Sequence, residues 1–476
     1  MPAFKTETHL VIILGMVFSS LTFLYAYLPI VLAVCFLCPK KYRNGWILLA
    51  SLFFYAWGEP IYILVMIASI TVNWLFGNVI SAADDKKAKT ALILCLVFNL
   101  ALLGFFKYWD FLAQNLHAIG LNFIRPLKLG LPIGISFYTF QTMSYPIDLY
   151  RGRTVRQKSL ISFGAYVSMF PQLIAGPIVR YTDIAEQLDH RSVTRSGFAY
   201  GIDRFMVGLA KKVLLANQIG MVFEQISGLP AVQQTVLTAW LGILAFAFQI
   251  YFDFSGYSDM AIGLGKMMGF DFPENFNYPY TAVSLTDFWR RWHMTLSYWF
   301  RDYVYIPLGG NRRGLPRQIL NIMIVWILTG FWHGASWNFV LWGLFYGILL
   351  IIEKVFLLKH LEKLPRWCAH LYTCVAVLLA WVLFAFPDMR EGLHFFRLLF
   401  GGGHAFADRT TLFFLRDNLL ILIACFIGST PLAKNLWARH EKQLRPLMPV
   451  LVIAALVICT AFIVDASYNP FLYFRF

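Results

Sequence analysis

The chain contains apolar stretches that are too long, and too free of charge, to lie inside a water-soluble fold. The first stretch, from Leu10 to Cys38, contains no Asp, Glu, Lys or Arg. Only 14% of the 476 residues are charged, against roughly a quarter in soluble domains. Because an apolar run of about 18 residues is typical of a membrane-spanning helix, the sequence predicts an all-α polytopic membrane protein with about 11–13 transmembrane or re-entrant helices.

The charge distribution indicates orientation in a membrane rather than nucleic-acid binding. The net charge is +15, but the basic residues are scattered through short loops between apolar blocks. Loops around Lys40, Lys86 and Arg153 are therefore predicted to face the cytoplasm, because short basic loops resist translocation. The seven cysteines lie mostly in apolar runs without repeated paired spacing, which favours small buried side chains over disulfides or metal ligands.

The basic loops divide the first half of the chain into predicted helical hairpins. The block from Trp46 to Ile80 is expected to fold back at Trp57–Pro60. The block from Thr90 to Leu149 is expected to contain a second pair of crossings. The residues beyond Lys354 predict about three further spans.

Three apolar segments carry interruptions that predict an interior site. They are Phe170–Pro177, which contains two prolines, Tyr251–Asp259, which contains two carboxylates, and Gly330–Gly334. Non-helical backbone at membrane depth is tolerated only where it is buried in protein or lines a wet cavity. The block from Gln318 to Ile352 has 35 residues, fewer than two full spans of about 20 residues require, so its break is predicted to lie within the membrane.

His333 is the first candidate for chemistry, because an ionisable residue inside a span is rare and indicates function. It stands between Trp332 and Gly334, and Trp337 and Asn338 follow. A buried neutral imidazole suits a general base, while the tryptophans and the amide could shape or polarise a pocket. The structural alternative is a histidine bonded to the carbonyl of a neighbouring helix.

His293 is the second candidate. A continuous helix over Phe288–Tyr305 would place Trp289, His293 and Leu296 on one face and Arg290 on another. The arginine could then reach a headgroup, a phosphate or a carboxylate. Trp289, Arg290 and Ser297 are the candidate substrate contacts of this segment. The alternative is an interfacial helix with an aromatic belt.

Asp253 and Asp259 are further candidates, since carboxylates around a break could bind a cation, orient an arginine or cap a helix. Capping and structural pairing are the favoured interpretations, and the spacing does not match a calcium loop. The sequence also lacks the nucleophile elbow of serine hydrolases, the phosphate-binding loop of ATPases and the paired-histidine zinc helix. Proton abstraction from a hydroxyl or thiol by buried histidines is the chemistry that remains.

Five motifs in order resemble those of the membrane-bound O-acyltransferase family, in particular the bacterial branch that contains the alginate O-acetylation membrane protein. They are Leu131–Gln141, Tyr251–Asp259, Phe288–Ser297, Asp302–Asn311 and Trp332–Gly334.

The resemblance implies that His333 corresponds to the family's invariant histidine and His293 to a second, frequently essential one. It further implies a funnel-shaped helical core with a central tunnel. This core would comprise about residues 16–353. Residues 1–15 would be an N-terminal extension and residues 354–476 would form C-terminal spans of the same single membrane domain.

The function implied is transfer of an acyl group, most simply acetyl, from a cytoplasmic thioester such as acetyl-CoA toward an extracytoplasmic polysaccharide. The enzyme would lie in the bacterial inner membrane, bind no cofactor or metal, and act with a periplasmic acetyltransferase partner. Alginate, peptidoglycan, cellulose and other exopolysaccharides remain open as acceptors. The alternatives are D-alanyl transfer to teichoic acid, and a non-catalytic transporter or scaffold of a glycan-modifying complex.

Overall fold

The computed structural model describes residues 16–403 and 405–465, and all regular structure in these ranges is helical. Residues 1–15, which contain the predicted N-terminal extension and the start of the predicted first span, lie outside the described residues. Within residues 16–38 the apolar helix of that span comprises Phe23–Leu37.

The helices of the first half are α1 (Phe23–Leu37), α2 (Arg43–Gly58), α3 (Ile63–Ala82), α4 (Asp85–Ala118), α5 (Ile135–Tyr150), α6 (Leu160–Ser168), α7 (Tyr181–His190), α8 (Arg195–Ser227) and α9 (Val236–Met267). Those of the second half are α10 (Leu285–Trp289), α11 (Met294–Phe300), α12 (Leu315–His333), α13 (Trp337–Leu361), α14 (Arg366–Ala385), α15 (Met389–Arg397), α16 (Arg409–Asp417), α17 (Leu419–Gly428) and α18 (Leu432–Asp465).

Eight of the described helices are long and apolar enough to cross a membrane, and a ninth span results if the bent pair α16–α17 is one crossing. This confirms a polytopic all-α membrane protein. The remaining helices, including α1, α2 and α5, are shorter than a full span. The predicted funnel and tunnel stay predictions.

The first half breaks into separate helices at both predicted turns, while the crossing of the membrane by every arm of the two hairpins stays a prediction. Helices α2 and α3 are separated by only four residues after Gly58, and α4 and α5 flank the polar segment between Ala118 and Ile135. The C-terminal part also matches its prediction, because α14, the pair α16–α17 and α18 supply up to three spans.

The chain divides into two compact units. Unit 1 comprises residues up to Leu209 together with Tyr257–Pro273. Its helices are tied by buried polar groups: the amide of Asn73 donates to the side chain of Asn99 at 3.0 Å, and the Thr142 hydroxyl donates to the same oxygen at 3.3 Å. Such hydrogen bonds hold helices together where burial of apolar surface gives no drive for association.

Unit 2 comprises Ala210–Gly256 together with the residues from Glu274 onward. Its core is built largely from aromatic rings, among them the fully buried Trp342, Trp381 and Tyr346. Both candidate histidines belong to this unit.

The prediction that Tyr251–Asp259 interrupts a helix is wrong. Helix α9 runs unbroken over Val236–Met267 through both carboxylates. The physical reason is that each carboxylate forms an ion pair with a basic side chain of α8. Both carboxylates can therefore be buried inside a continuous helix.

The length argument for the block Gln318–Ile352 is also wrong. Helix α12 starts before this block, at Leu315, and α13 continues beyond it to Leu361. The two helices have 19 and 25 residues, and each qualifies as a span by itself. The predicted break at Gly330–Gly334 occurs only at the C-terminal end of that segment, since α12 continues to His333 and the chain turns at Gly334–Ser336.

Candidate functional site

The segment that carries His293 is a broken helix, which corrects the prediction of a continuous helix over Phe288–Tyr305. Helix α10 ends at Trp289, and α11 begins at Met294. His293 lies at the junction with φ 44° and ψ 53°, a left-handed conformation that is uncommon outside glycine. The predicted shared face of Trp289, His293 and Leu296 therefore does not exist.

Asn275 explains the break, because its backbone and side chain take over the groups that a helix would use. The Met294 N–H donates to the Asn275 carbonyl at 2.9 Å. The Asn275 Oδ1 accepts from the Thr295 hydroxyl at 2.9 Å and from the Thr295 N–H at 3.3 Å. These donors identify the Oδ1 atom as an acceptor, so the Nδ1–H of His293, 3.1 Å away, donates to it. The basic nitrogen of the neutral His293 ring is consequently Nε2.

His333 is the last residue of α12 and is 95% buried. Close packing of α12 against α13 brings it there. A Cβ atom on Gly330 would lie 2.4 Å from the carbonyl oxygen of Phe339, and one on Gly343 would lie 2.4 Å from that of Trp326. Gly334 likewise leaves room for the Phe339 ring. Gly330, Gly334 and Gly343 therefore permit the close packing around His333.

Trp332 connects the two imidazoles. Its ring centroid lies 5.7 Å from that of His293 and 5.0 Å from that of His333. Phe254 packs edge-on against His293 at 4.6 Å, while Trp342 and Phe384 pack edge-on against His333 at 5.0 and 5.3 Å. The structure therefore brings His293, Trp332 and His333 into one buried aromatic site.

Trp289 lies beside this site rather than in it. Its ring contacts Trp326 at 4.6 Å, Tyr346 at 4.9 Å and Trp342 at 5.6 Å. Trp342 in turn touches His333. Trp289 thus supports the histidine site through one intervening ring.

The other candidate contacts of this segment lie away from the histidines. The Ser297 hydroxyl donates to the Trp289 carbonyl at 3.3 Å, which closes the gap between α10 and α11. Arg290 is exposed. The structure therefore assigns Ser297 a local structural contact and places Arg290 on the surface.

Trp337 and Asn338, at the start of α13, are placed differently from each other. Trp337 is 54% exposed, so it does not form a buried wall beside His333. Asn338 is fully buried, and its amide donates to the Leu383 carbonyl at 3.2 Å. Because Phe384 follows Leu383 and packs on His333, Asn338 positions that wall of the site.

Asp253 and Asp259 form ion pairs, which confirms the structural interpretation for both. Asp253 lies 2.6 Å from the Lys212 ammonium, with both side chains buried, and Asp259 lies 2.7 Å from the Arg204 guanidinium. The cap proposed for a helix starting near Ser258 does not exist, because α9 is continuous there. Sequence reasoning missed Lys212 and Arg204, although both are basic residues inside an apolar segment.

Glu353 is a third residue that sequence reasoning missed. Its carboxylate is fully buried on α13 and accepts from the Leu285 N–H at 2.7 Å and the Thr286 N–H at 2.8 Å. A carboxylate at the N-terminus of a helix satisfies its unpaired N–H groups. Glu353 therefore fixes the start of α10 and, through it, the loop that carries His293. Among the described residues, no group of three His, Cys, Asp or Glu side chains could hold a metal ion.

A family model matches the part of the chain that carries this site. The model of the MBOAT, membrane-bound O-acyltransferase family, matches residues 135–389, a range that contains both histidines.

Three relatives differ in the acyl group and the polymer that their names state. The chain is 40% identical to a probable alginate O-acetylase of Pseudomonas putida, over 97% of this chain and 100% of the relative. It is 35% identical to a peptidoglycan O-acetyltransferase of Helicobacter pylori, over 79% of this chain and 78% of the relative. It is 28% identical to a teichoic acid D-alanyltransferase of Bacillus subtilis, over 60% of this chain and 73% of the relative. On the family match and these identities, the chain belongs to the membrane-bound O-acyltransferase family and is an O-acyltransferase of the polysaccharide-modifying type.

Proposed function

We propose that this chain is an inner-membrane O-acetyltransferase that moves an acetyl group from a cytoplasmic thioester to a hydroxyl group on the extracytoplasmic side. The donor is acetyl-CoA or another acyl thioester, and the final acceptor is a polysaccharide. The observation that carries the proposal is the contact of Trp332 with both His293 and His333 inside one buried site. The 40% and 35% identity to two O-acetylating relatives supports acetyl as the group transferred.

The reaction requires a base and a proton donor, and two histidines suffice. The acceptor oxygen forms a C–O bond with the acyl carbon while the C–S bond of the thioester breaks. In our proposal His333 takes the hydroxyl proton or orients the hydroxyl, and His293 assists delivery of a proton to the departing thiolate. The products are an O-acetyl ester and a free thiol. General acid–base catalysis of this kind contributes about 10²–10⁴-fold to rate.

The surrounding residues hold this geometry. The Asn275 Oδ1 accepts from His293 Nδ1–H, which orients Nε2 as the reactive nitrogen. Trp332, Trp342 and Phe384 exclude water from the imidazoles, and in a dry site each polar interaction is stronger. We further propose that a periplasmic acetyltransferase partner completes transfer to the glycan.

A D-alanyl donor is the second candidate within the same chemistry, since a D-alanyltransferase is 28% identical over 60% of this chain. The two candidates leave different esters on the cell envelope. Mild alkali releases acetate in the first case and D-alanine in the second.

The test is the ester content of the cell envelope in a strain that lacks this gene. We expect alkali-labile acetate to fall by at least tenfold, to return with the wild-type gene, and to stay low with His333→Ala expressed at an equal level. A change in D-alanine alone would establish the second candidate instead. Unchanged amounts of both esters would refute the proposed function.

A further inference from the structure

A cavity of about 290 Å³ lies apart from the histidine site, among the end of α8, the start of α9 and helix α15. It is nevertheless connected to that site along the chain. Phe384 packs on His333 at 5.3 Å, and Phe386, two residues later, lines the cavity. A volume near the lower end of the range of about 300–1,000 Å³ for small-molecule sites admits one small ring rather than a polymer segment.

Two polar side chains of α15, Glu391 and His394, face the cavity. They are three residues apart and therefore lie on the same side of the helix. Gln234 fixes the histidine ring: its own amide donates to the Leu229 carbonyl at 2.8 Å, and its Oε1 lies 3.0 Å from His394 Nε2. Nε2 thus carries the hydrogen, and Nδ1 of the neutral ring is a hydrogen-bond acceptor.

Glu391 supplies a second acceptor. Within residues 16–403 and 405–465 its carboxylate forms no ion pair, and the two arginines of α15, Arg390 and Arg397, do not line the cavity. A carboxylate and an imidazole nitrogen side by side match two neighbouring O–H donors of one ligand.

The rest of the lining combines the hydroxyl-bearing side chains of Ser227 and Thr238 with apolar and aromatic ones. Phe386 stacks near Phe395 with ring centroids 4.9 Å apart, and both line the cavity. The Trp240 indole donates to the Leu399 carbonyl at 3.0 Å, which fastens the end of α15 to α9. A ligand with adjacent hydroxyls on one edge and C–H groups on its face fits this combination, and a sugar ring has both.

The charge pattern of the longer helices favours the extracytoplasmic side for the cavity, although α15 itself carries Arg390 and Arg397. Residues 228–235, between α8 and α9, contain no Lys or Arg, whereas Arg195 begins α8 and Lys266 ends α9. Helix α14 likewise begins at Arg366 and runs toward the cavity. Because basic ends stay in the cytoplasm, the opposite ends of these helices face outward.

We propose that this cavity binds one sugar residue of the acceptor polysaccharide, with Glu391 and His394 accepting hydrogen bonds from neighbouring hydroxyls. The proposal rests on the proposed function, because it assumes a glycan acceptor that is held here while the periplasmic partner completes the transfer. The carboxylate of Glu391 repels a negatively charged sugar, so the site selects uncharged sugars over uronic acids.

The experiment measures binding without any acyl donor, so that its outcome is independent of acetyl transfer. The purified full-length chain in detergent is titrated by calorimetry with a neutral N-acetylglucosamine trisaccharide and with a mannuronate trisaccharide. The variants are Glu391→Gln, His394→Leu and the exposed neighbour Arg390→Gln as a matched control. His333→Ala is included to separate this cavity from the catalytic site.

We expect the neutral trisaccharide to bind the wild type, His333→Ala and Arg390→Gln within twofold of one another. Glu391→Gln and His394→Leu should weaken its binding about tenfold or more, the loss expected for one good hydrogen bond. The mannuronate trisaccharide should bind the wild type more weakly and gain affinity in Glu391→Gln.

Absence of saccharide binding to the wild type would overturn the proposal, and so would equal binding by Glu391→Gln, His394→Leu and the wild type. If the cavity binds a protein partner instead of a sugar, the wild type will likewise bind no saccharide. Saccharide binding in a protein that shows no acetyl transfer would refute the proposed function while leaving the sugar site intact.

Discussion

The imidazole of His293 and the amide of Asn275 are joined by a 3.1 Å hydrogen bond from Nδ1 to Oδ1. Because the same oxygen also accepts from Thr295, the orientation of the amide and the tautomer of the histidine are set together. We predict that Asn275→Leu lowers the acyl-transfer rate by about tenfold or more, because general acid–base catalysis contributes about 10²–10⁴-fold and depends on the position of the histidine. Asn275→Asp, which keeps an acceptor oxygen, should recover part of this loss.

The matched control for this prediction is Asn277→Leu, two residues away on the same loop and exposed. Initial rates with saturating and limiting donor separate binding from chemistry. If Asn275→Leu and Asn277→Leu transferred acyl groups equally fast, the positioning role of Asn275 would be wrong.

The Lys212–Asp253 pair should matter for stability rather than for chemistry. Removing one partner leaves an uncompensated buried charge, so we predict that Asp253→Ala lowers the free energy of unfolding by about 3–5 kcal/mol. The double variant Lys212→Met with Asp253→Leu should regain most of that stability, because replacing a buried pair by apolar groups of similar size is often neutral.

Thermal unfolding of the purified variants in detergent measures this effect, and the exposed Lys86→Ala serves as the reference. A double variant no more stable than Asp253→Ala would show that the pair does something other than balance charge.

The close approach of α12 and α13 gives a third prediction. Gly343→Val should reduce both the yield of folded protein and the acyl-transfer rate, because a Cβ at Gly343 would lie 2.4 Å from the Trp326 carbonyl oxygen. Gly104→Val in α4 is the control, since a Cβ there meets no atom within 4 Å. Solubilised yield and activity per folded molecule are the measurements. Normal activity of Gly343→Val would show that the two helices can separate without disturbing His333.

The orientation of the loops is a fourth prediction. Single cysteines placed at Lys40, Lys86 and Arg153, in a chain lacking the seven native cysteines, should react only with membrane-permeant thiol reagents. A cysteine at Arg390 should react with an impermeant reagent added from outside. Labelling of Lys86→Cys from outside, or protection of Arg390→Cys, would reverse the orientation on which the sugar-binding cavity depends.

The sequence predicted the histidines better than it predicted the helices around them. His333 was found because an ionisable residue in an apolar block is rare, and the structure buries it. His293 was found, but the continuous helix predicted around it was wrong. The helical period takes no account of a hydrogen-bond partner that is distant in the sequence. Asn275, 18 residues away, takes the hydrogen bonds that a continuous helix would have used.

The same limit explains the error at Tyr251–Asp259. Two carboxylates and a glycine in an apolar run normally indicate a break, because buried charge is costly. The cations that remove this cost, Lys212 and Arg204, lie more than forty residues earlier in the chain. Local pattern identifies which residues need a partner, and only the fold identifies the partner.

The most direct test of the account is acyl transfer by His333→Ala. The purified chain, reconstituted in lipid vesicles, is given radiolabelled acetyl-CoA inside and a hydroxyl acceptor outside, and acetyl ester formed outside is counted. We predict a loss of about 10²-fold or more for His333→Ala, in the range of general-base catalysis, with unchanged thermal stability. The exposed His360→Ala should keep the wild-type rate. A well-folded His333→Ala protein that forms acetyl ester at the wild-type rate would contradict the central claim.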